Sequence, residues 1–160
     1  MLGTDGCGVP VFGLPLHRLA AAYAEFGRLS SEDSASARTC AASRIIEALR
    51  AHPFHLAGTG RYDTRLIEVT RGRIIGKMGA EGVFALTVPK LGLGLALKIE
   101  DGSERAIYPA VTEALLQLGW LTPSEGQELA GFHKPPVRNW KGTLVGEIRP
   151  VFRLNPYSGS

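Results

Sequence analysis

Four polar side chains in this 160-residue sequence have a type and setting suited to chemistry: Asp5, Cys7, Arg61 and Lys77. The lysine lies in the segment RIIGKMGAEGV, residues 73–83, with glycines on both sides of it. A residue without a side chain lets a second molecule approach the backbone closely. We therefore expect a substrate or another chain segment to contact Lys77. A solvated surface lysine is the alternative interpretation, because lysine side chains are mostly exposed.

Cys7 lies in the segment DGCGVP, residues 5–10, where glycines surround the thiol and Asp5 is two residues away. A thiol becomes a nucleophile or a metal ligand when its surroundings favour the thiolate, so this turn is a candidate site. A buried, inert cysteine fits the local sequence equally well. A metal centre at Cys7 would need ligands from distant segments or from outside the chain, because no cysteine or histidine stands at the spacing of a zinc motif.

Arg61 follows the loop GTG, residues 58–60, and can clamp a carboxylate with its planar fork of N–H donors. Capping a helix or facing solvent is the alternative role. A serine nucleophile is not indicated, since the sequence contains neither Gly-x-Ser-x-Gly nor Ser-x-x-Lys.

The composition is that of an ordinary globular protein, with 44% hydrophobic residues, 21% charged residues and a net charge of +3. Nucleic acid is not an expected partner, because no aromatic residues are interleaved with the arginines. No apolar run approaches the roughly 18 residues of a membrane helix, and the N-terminus lacks a basic start followed by a long apolar segment. We therefore expect a cytoplasmic protein without a membrane partner.

Hydrophobic periodicity predicts the helices that precede Lys77. Apolar residues recur at helical spacing over residues 16–26, and Ala41, Ile45 and Leu49 share one face of a second helix. Asp63 is expected to cap a short third helix. The glycine-rich residues 1–13 are expected to form a loop.

Three strands are predicted over residues 73–78, 83–88 and 93–99. Their connections are too short for a parallel crossover helix, so they should form an antiparallel meander, with Lys77 near the end of the first strand. Two helices should follow, the second opened by the capping box Thr122-Pro123-Ser124-Glu125. After a loop over residues 133–142, a last strand should carry Leu144, Ile148 and Phe152 on one face.

The predicted order of elements indicates an α+β fold, an antiparallel sheet with packed helices. We expect one domain over residues 1–154, followed by a flexible tail over residues 155–160.

Five segments occur in order between residues 5 and 153: DGCGVPVFGLPLHRLAAAYAEF, AHPFHLAGTGRYDT, GKMGAEGVFALTVP, LGLALKIEDGSERA and NWKGTLVGEIRPVF. Together they resemble the C-terminal half of the asparaginase II family, the thermolabile L-asparaginases of the Rhizobium type. The resemblance implies an L-asparagine amidohydrolase that forms aspartate and ammonia. It also implies a fold similar to that of serine β-lactamases and penicillin-binding proteins.

The resemblance also implies roles for the candidate residues. Lys77-Met78-Gly79 resembles the Lys-Thr-Gly that faces the nucleophile from a sheet strand in that fold. Lys77 matches the lysine that family members use near the catalytic serines, Cys7 their zinc-binding cysteine, and Asp5 the functional aspartate beside it. Arg61 is the expected partner of the substrate's α-carboxylate.

The sequence departs from the family pattern in one respect. Family members carry Ser-x-x-Lys, Cys-Ser-Gly-Lys-His and the other zinc ligands in an N-terminal half, and these 160 residues contain neither motif. We therefore expect a truncated or split-gene product that contributes to an asparaginase site and is inactive alone. Its expected partners are L-asparagine and either the missing half or a second copy in a homodimer, since unpaired apolar surface tends to associate. The alternative is a non-catalytic remnant that binds an amino acid or a protein partner.

Overall fold

The structure is a computed structural model that describes residues 1–33 and 36–155. Helices and antiparallel strands form an α+β fold, which confirms the predicted class. The strands are β1 Leu2–Thr4, β2 Pro10–Phe12, β3 Ile75–Met78, β4 Val83–Val88, β5 Leu93–Lys98, β6 Pro136–Arg138 and β7 Leu144–Glu147. The helices are α1 Leu16–Ser30, α2 Ala37–Ala51, α3 Phe54–Ala57, α4 Tyr62–Val69, α5 Ile107–Gln117, α6 Pro123–Glu128 and α7 Ala130–His133.

Strands β3, β4 and β5 form the predicted antiparallel meander, with β4 in the middle. Lys77 is the next-to-last residue of β3 and pairs with Ala85, so its predicted position is confirmed. The strand begins at Ile75 instead of Arg73, because the Arg73 amide donates to the Thr70 carbonyl in the turn that ends α4.

Helices cover both faces of this sheet. Successive residues of β4 point to opposite faces. Phe84, Leu86 and Val88 point to one face and join a buried cluster. Helix α4 contributes Tyr62 and Leu66 to this cluster, and α5 contributes Ile107 and Leu115. Helix α1 lies against the other face, where β5 approaches it so closely that a side chain at Gly94 would collide with the α1 backbone.

The first 13 residues form a β-hairpin, so the prediction of a loop is wrong. Strands β1 and β2 pair in an antiparallel ladder. The turn between them is closed by Asp5, whose Oδ1 accepts the amides of Cys7 and Val9, each at 2.9 Å. Gly8 supplies the left-handed backbone that the turn requires, with φ of 78°. Strands of three residues are too short to show the alternation from which strands are predicted.

Helix α2 is confirmed, but a different face of it is buried. Ile46 packs with Ile67 of α4, whereas Ile45 is 51% exposed. The helix begins after Ser36, whose Oγ accepts the Thr39 amide at 3.1 Å. Because two isoleucines stand side by side, helical spacing fits either face, and packing against α4 decides between them.

The predicted last strand is wrong in length. Strand β7 ends at Glu147 and pairs with β6, which lies inside the segment predicted to be a loop. Both strands of this hairpin are exposed, so apolar alternation carries no information about burial there. The backbones of Phe152 and Leu154 instead bond to the side chain of Gln117 in α5. Residues 156–160 of the predicted tail lie outside the described residues.

The capping box at the start of α6 is confirmed. Thr122 Oγ1 accepts the Glu125 amide, and Glu125 Oε2 accepts the Thr122 amide at 2.8 Å. Arg73 donates to both carboxylate oxygens of Glu125 at 2.7 Å. Glu125 therefore ties α6 to the chain that enters β3. None of the helices in the described ranges is long and apolar enough to cross a membrane.

Glu125→Gln should lower the free energy of unfolding by about 1–2 kcal/mol at pH 7. Burial raises the pKa of Glu125, but the Thr122 amide and Arg73 outweigh burial, so the pKa is below its usual value. A carboxyl with a lowered pKa in the folded state stabilises the fold above its unfolded pKa and loses this contribution as the pH falls. Urea unfolding at pH 7 and pH 3 should show the difference from wild type shrinking at the lower pH.

Glu128→Gln is the matched control, because this carboxylate is 59% exposed and lies 3.9 Å from Arg65. Its effect should stay below about 0.5 kcal/mol. Equal losses in the two variants would contradict a stabilising role for the Arg73–Glu125 pair.

Candidate functional site

Lys77 lies at the end of β3, beside the carboxylate of Asp63. Its ammonium nitrogen Nζ lies 3.7 Å from Oδ2 of Asp63 and donates to the Met78 carbonyl at 2.6 Å. The side chain is 42% exposed. An ammonium has three N–H donors, so at least one remains for a ligand on the exposed side.

Asp63, the second residue of α4, is fully buried beneath this lysine. Its Oδ1 accepts the Met78 amide at 3.1 Å, and its Oδ2 has no hydrogen-bond partner among the described residues. Arg61 is the N-cap residue of α4, so the prediction that Asp63 caps this helix is wrong. Burial raises the pKa of Asp63, whereas the Lys77 ammonium and the Met78 amide act in the opposite direction.

Arg61 is exposed and brings a second cation to the same place. Its guanidinium nitrogen Nη2 lies 4.0 Å from the sulfur of Met78. The hydroxyl of Tyr108 donates to that sulfur at 3.1 Å. Two cations therefore lie beside Met78, one near its side chain and one near its backbone, and such a pair attracts an anionic group of a ligand.

Two tyrosines, Tyr108 and Tyr23, interact electrostatically with Asp63. The ring of Tyr108 in α5 stacks on Tyr62 with centroids 4.7 Å apart, which holds its position. Burial raises the pKa of Tyr108 and of Tyr23 in α1, and the carboxylate of Asp63 raises both further. Both phenols are therefore neutral at physiological pH and can act as hydrogen-bond donors.

The glycine directly before Lys77 has a different role from the expected one. A Cβ atom at Gly76 would lie 2.7 Å from the ring of Phe84 and 3.0 Å from Leu86. Gly76 therefore makes room for the core beneath the strand and not for a ligand above it. A Cβ atom at Gly79 would lie 3.6 Å from Val83, which is an ordinary contact distance. A ligand would reach Lys77 from its exposed side.

Asp5 and Cys7 take no part in the described contacts around Lys77. Within the described residues, the carboxylate of Asp5 bonds only within its own hairpin turn, and Cys7 is an exposed free thiol. The described ranges contain no group of three or more histidine, cysteine, aspartate or glutamate side chains placed to hold a metal ion.

Asp63 and Tyr108 are the residues that sequence reasoning missed. Asp63 stands three and four positions before Leu66 and Ile67, which are both buried, so it shares the apolar face of α4. An acidic residue on such a face is a signal that could have been used. Tyr108 has no comparable signal, because it reaches the site from a helix beyond the meander.

The family model described as L-asparaginase II matches residues 1–150. The chain belongs to the L-asparaginase II family. The resemblance of the five segments to this family is thereby confirmed, and membership of the L-asparaginase II family indicates an asparaginase-type hydrolase. A search among curated proteins found no match to the chain.

Proposed function

We propose that this polypeptide contributes the substrate-binding sheet edge of an L-asparaginase, which hydrolyses asparagine to aspartate and ammonia. The observation that carries the proposal is a pair of cations beside Met78: Lys77 donates to its carbonyl, and the guanidinium of Arg61 lies near its sulfur. Asparagine carries an α-carboxylate and an amide whose oxygen becomes negative during hydrolysis. One cation can pair with the α-carboxylate, and the other can stabilise the negative charge that develops on the amide oxygen. Membership of the family supports the class of reaction.

In the proposed reaction, a serine hydroxyl from outside these 160 residues attacks the side-chain amide carbon of asparagine. The C–N bond breaks, ammonia leaves with the serine proton, and water then hydrolyses the ester to aspartate. Lys77 holds or deprotonates the serine, and Arg61 pairs with the α-carboxylate. A role for Asp5 as a further catalytic residue is proposed on the family resemblance alone.

We further propose a fold related to serine β-lactamases and penicillin-binding proteins. Its support is the antiparallel sheet with helices packed on it and the position of Lys77 and Met78 on β3, since Lys-Thr-Gly lies on a sheet strand in those enzymes. A zinc site would take Cys7 as one ligand and its other ligands from outside this chain. Metal analysis of wild type and Cys7→Ser checks this, since equal zinc contents would exclude Cys7.

Self-association or pairing with an N-terminal half is proposed because apolar side chains of both terminal hairpins are exposed. The largest are Phe12 in β2 and Trp140 in the turn between β6 and β7. Large exposed apolar groups are typical of contact surfaces. Analytical ultracentrifugation tests this, and a stable monomer at high concentration would contradict the homodimer.

Ammonia release from asparagine tests the proposed function, first with the chain alone and then with a separately expressed N-terminal portion that carries Ser-x-x-Lys. Activity in either sample supports an asparaginase. Absence of activity in both would count heavily against it. Calorimetric binding of asparagine without turnover would instead favour a non-catalytic remnant.

In the active form, Arg61→Ala should raise KM for asparagine about 10- to 100-fold and change kcat less, since an arginine–carboxylate pair exists in both ground and transition states. Arg61→Lys should recover only part of this loss, because lysine lacks the bidentate fork. Arg105→Ala is the control, as this side chain is 73% exposed and lies beside Asp101. Initial rates over a range of asparagine concentrations give both constants. A fall in kcat at unchanged KM would contradict the carboxylate role.

A further inference from the structure

We propose that Asp63 is a positioning residue that fixes Lys77 as an ammonium ion at the end of β3, so that Lys77 serves as a hydrogen-bond donor and not as a base. The inference deepens the proposed function and rests on it for the catalytic consequence. The contact between Asp63 and Lys77 can be tested without any activity.

Asp63 contacts β3 through both of its carboxylate oxygens. Oδ1 accepts the Met78 amide at 3.1 Å, which ties α4 to the strand that carries Lys77. Oδ2 lies 3.7 Å from the ammonium nitrogen. The second contact of that nitrogen is the Met78 carbonyl at 2.6 Å. Both contacts are acceptors, and one of them is an anion, so they suit the N–H donors of an ammonium and offer no donor to a free lone pair.

The buried carboxylate of Asp63 costs stability, so stability does not explain why an aspartate lies at this place. The residue is fully buried, and one of its oxygens lacks a hydrogen bond among the described residues. A buried polar atom without a partner costs free energy. Burial also raises the pKa of Asp63, so its ionised form lowers stability once the pH rises above the unfolded pKa. The contact with Lys77, a cation that takes part in the proposed reaction, accounts for an aspartate at this buried position.

The groups that face Asp63 come from four elements and leave Lys77 as its nearest cation partner. Lys77 lies on β3 and Arg61 at the start of α4, and both lower the pKa of the carboxyl. Tyr23 on α1 and Tyr108 on α5 also interact with it electrostatically, as neutral phenols. Of the two cations, Lys77 lowers the pKa of Asp63 more than Arg61 does.

Acetic anhydride labelling tests the pairing, because only an unprotonated amine reacts. In Asp63→Asn, the amide keeps an oxygen for the Met78 N–H, but the negative charge is gone. We expect Lys77 in this variant to be acetylated about tenfold faster than in wild type at pH 8, measured by peptide mass spectrometry. Exposed Lys90 in the same samples is the internal reference. Asp101→Asn, the same change at an exposed aspartate, should leave the Lys77 rate unchanged. A rate within twofold of wild type in folded Asp63→Asn would overturn the proposal.

A second measurement covers the case in which Asp63→Asn does not fold. Carbon-13 NMR titration of the Asp63 carboxyl in Lys77→Gln should show its pKa raised further than in wild type, since the ammonium that opposes burial is lost. An unchanged titration would refute the contact. Failure of asparagine hydrolysis with the labelling result intact would refute the proposed function alone.

Two substitutions of Lys77 distinguish a hydrogen-bond donor from a catalytic base. Arginine is permanently charged and cannot act as a base. If Lys77 is a donor, Lys77→Arg should retain about a tenth of wild-type kcat/KM, whereas Lys77→Gln should retain less than about a hundredth. Equal loss in the two variants, with both folded, would show that Lys77 acts as a base and would overturn this part of the inference.

Discussion

Lys77→Met is expected to lower kcat/KM for asparagine by about 10²–10⁴-fold in the active form of the protein. Methionine has nearly the length of the lysine stem, so it fills the same space but supplies neither charge nor a donor. The effect is large because the charge and the N–H donors of Lys77 are the features that the proposed reaction uses. Ammonia release at several asparagine concentrations measures it.

Lys90→Met is the matched control, because Lys90 is an exposed lysine just after β4 and outside the proposed site. Its kcat/KM should stay within about twofold of wild type, as expected for a surface change remote from the site. Thermal unfolding of both variants separates a lost function from a lost fold. Activity of Lys77→Met within threefold of wild type would remove Lys77 from the proposed site.

Phe84→Ala is expected to lower the free energy of unfolding by about 3–5 kcal/mol. The ring is completely buried, makes an edge contact with Tyr62 and fills the space beneath Gly76. Removing it leaves a cavity directly under the strand that carries Lys77. Urea unfolding measures the loss, and the activity should fall with it, because β3 loses the support that holds Lys77 in register.

Phe54→Ala supplies the control for this substitution. Its ring is 55% exposed, so the same deletion should cost less than about 1 kcal/mol. A loss below about 1.5 kcal/mol in Phe84→Ala would mean that the core can collapse into the vacant space, and that Gly76 is not required for packing.

Local patterns predicted the elements whose signals are local. The meander follows from short turns between apolar strands, and the capping box at Thr122 depends on residues only three positions apart. The two terminal hairpins were missed or misplaced for the opposite reason. Their strands are three or four residues long and exposed, so neither alternation nor burial marks them.

The site was predicted only in part. The flanking residues of Lys77 and Arg61 indicate both as candidates, and the structure places both beside Met78. The glycine before Lys77 has another role than the sequence suggests, because Gly76 accommodates Phe84 and not a ligand. The roles predicted for Asp5 and Cys7 remain predictions, since the described contacts around Lys77 do not include them.

The sequence by itself determined that a lysine ends a strand of an antiparallel sheet and that an aspartate stands on the apolar face of α4. Only the tertiary structure decided that these two residues meet. Local periodicity determines which face of an element is apolar, whereas the distance between Asp63 and Lys77 depends on how α4 packs against β3. Burial and electrostatic partnership are properties of that packing, so the carboxylate beneath Lys77 became apparent only in the folded chain.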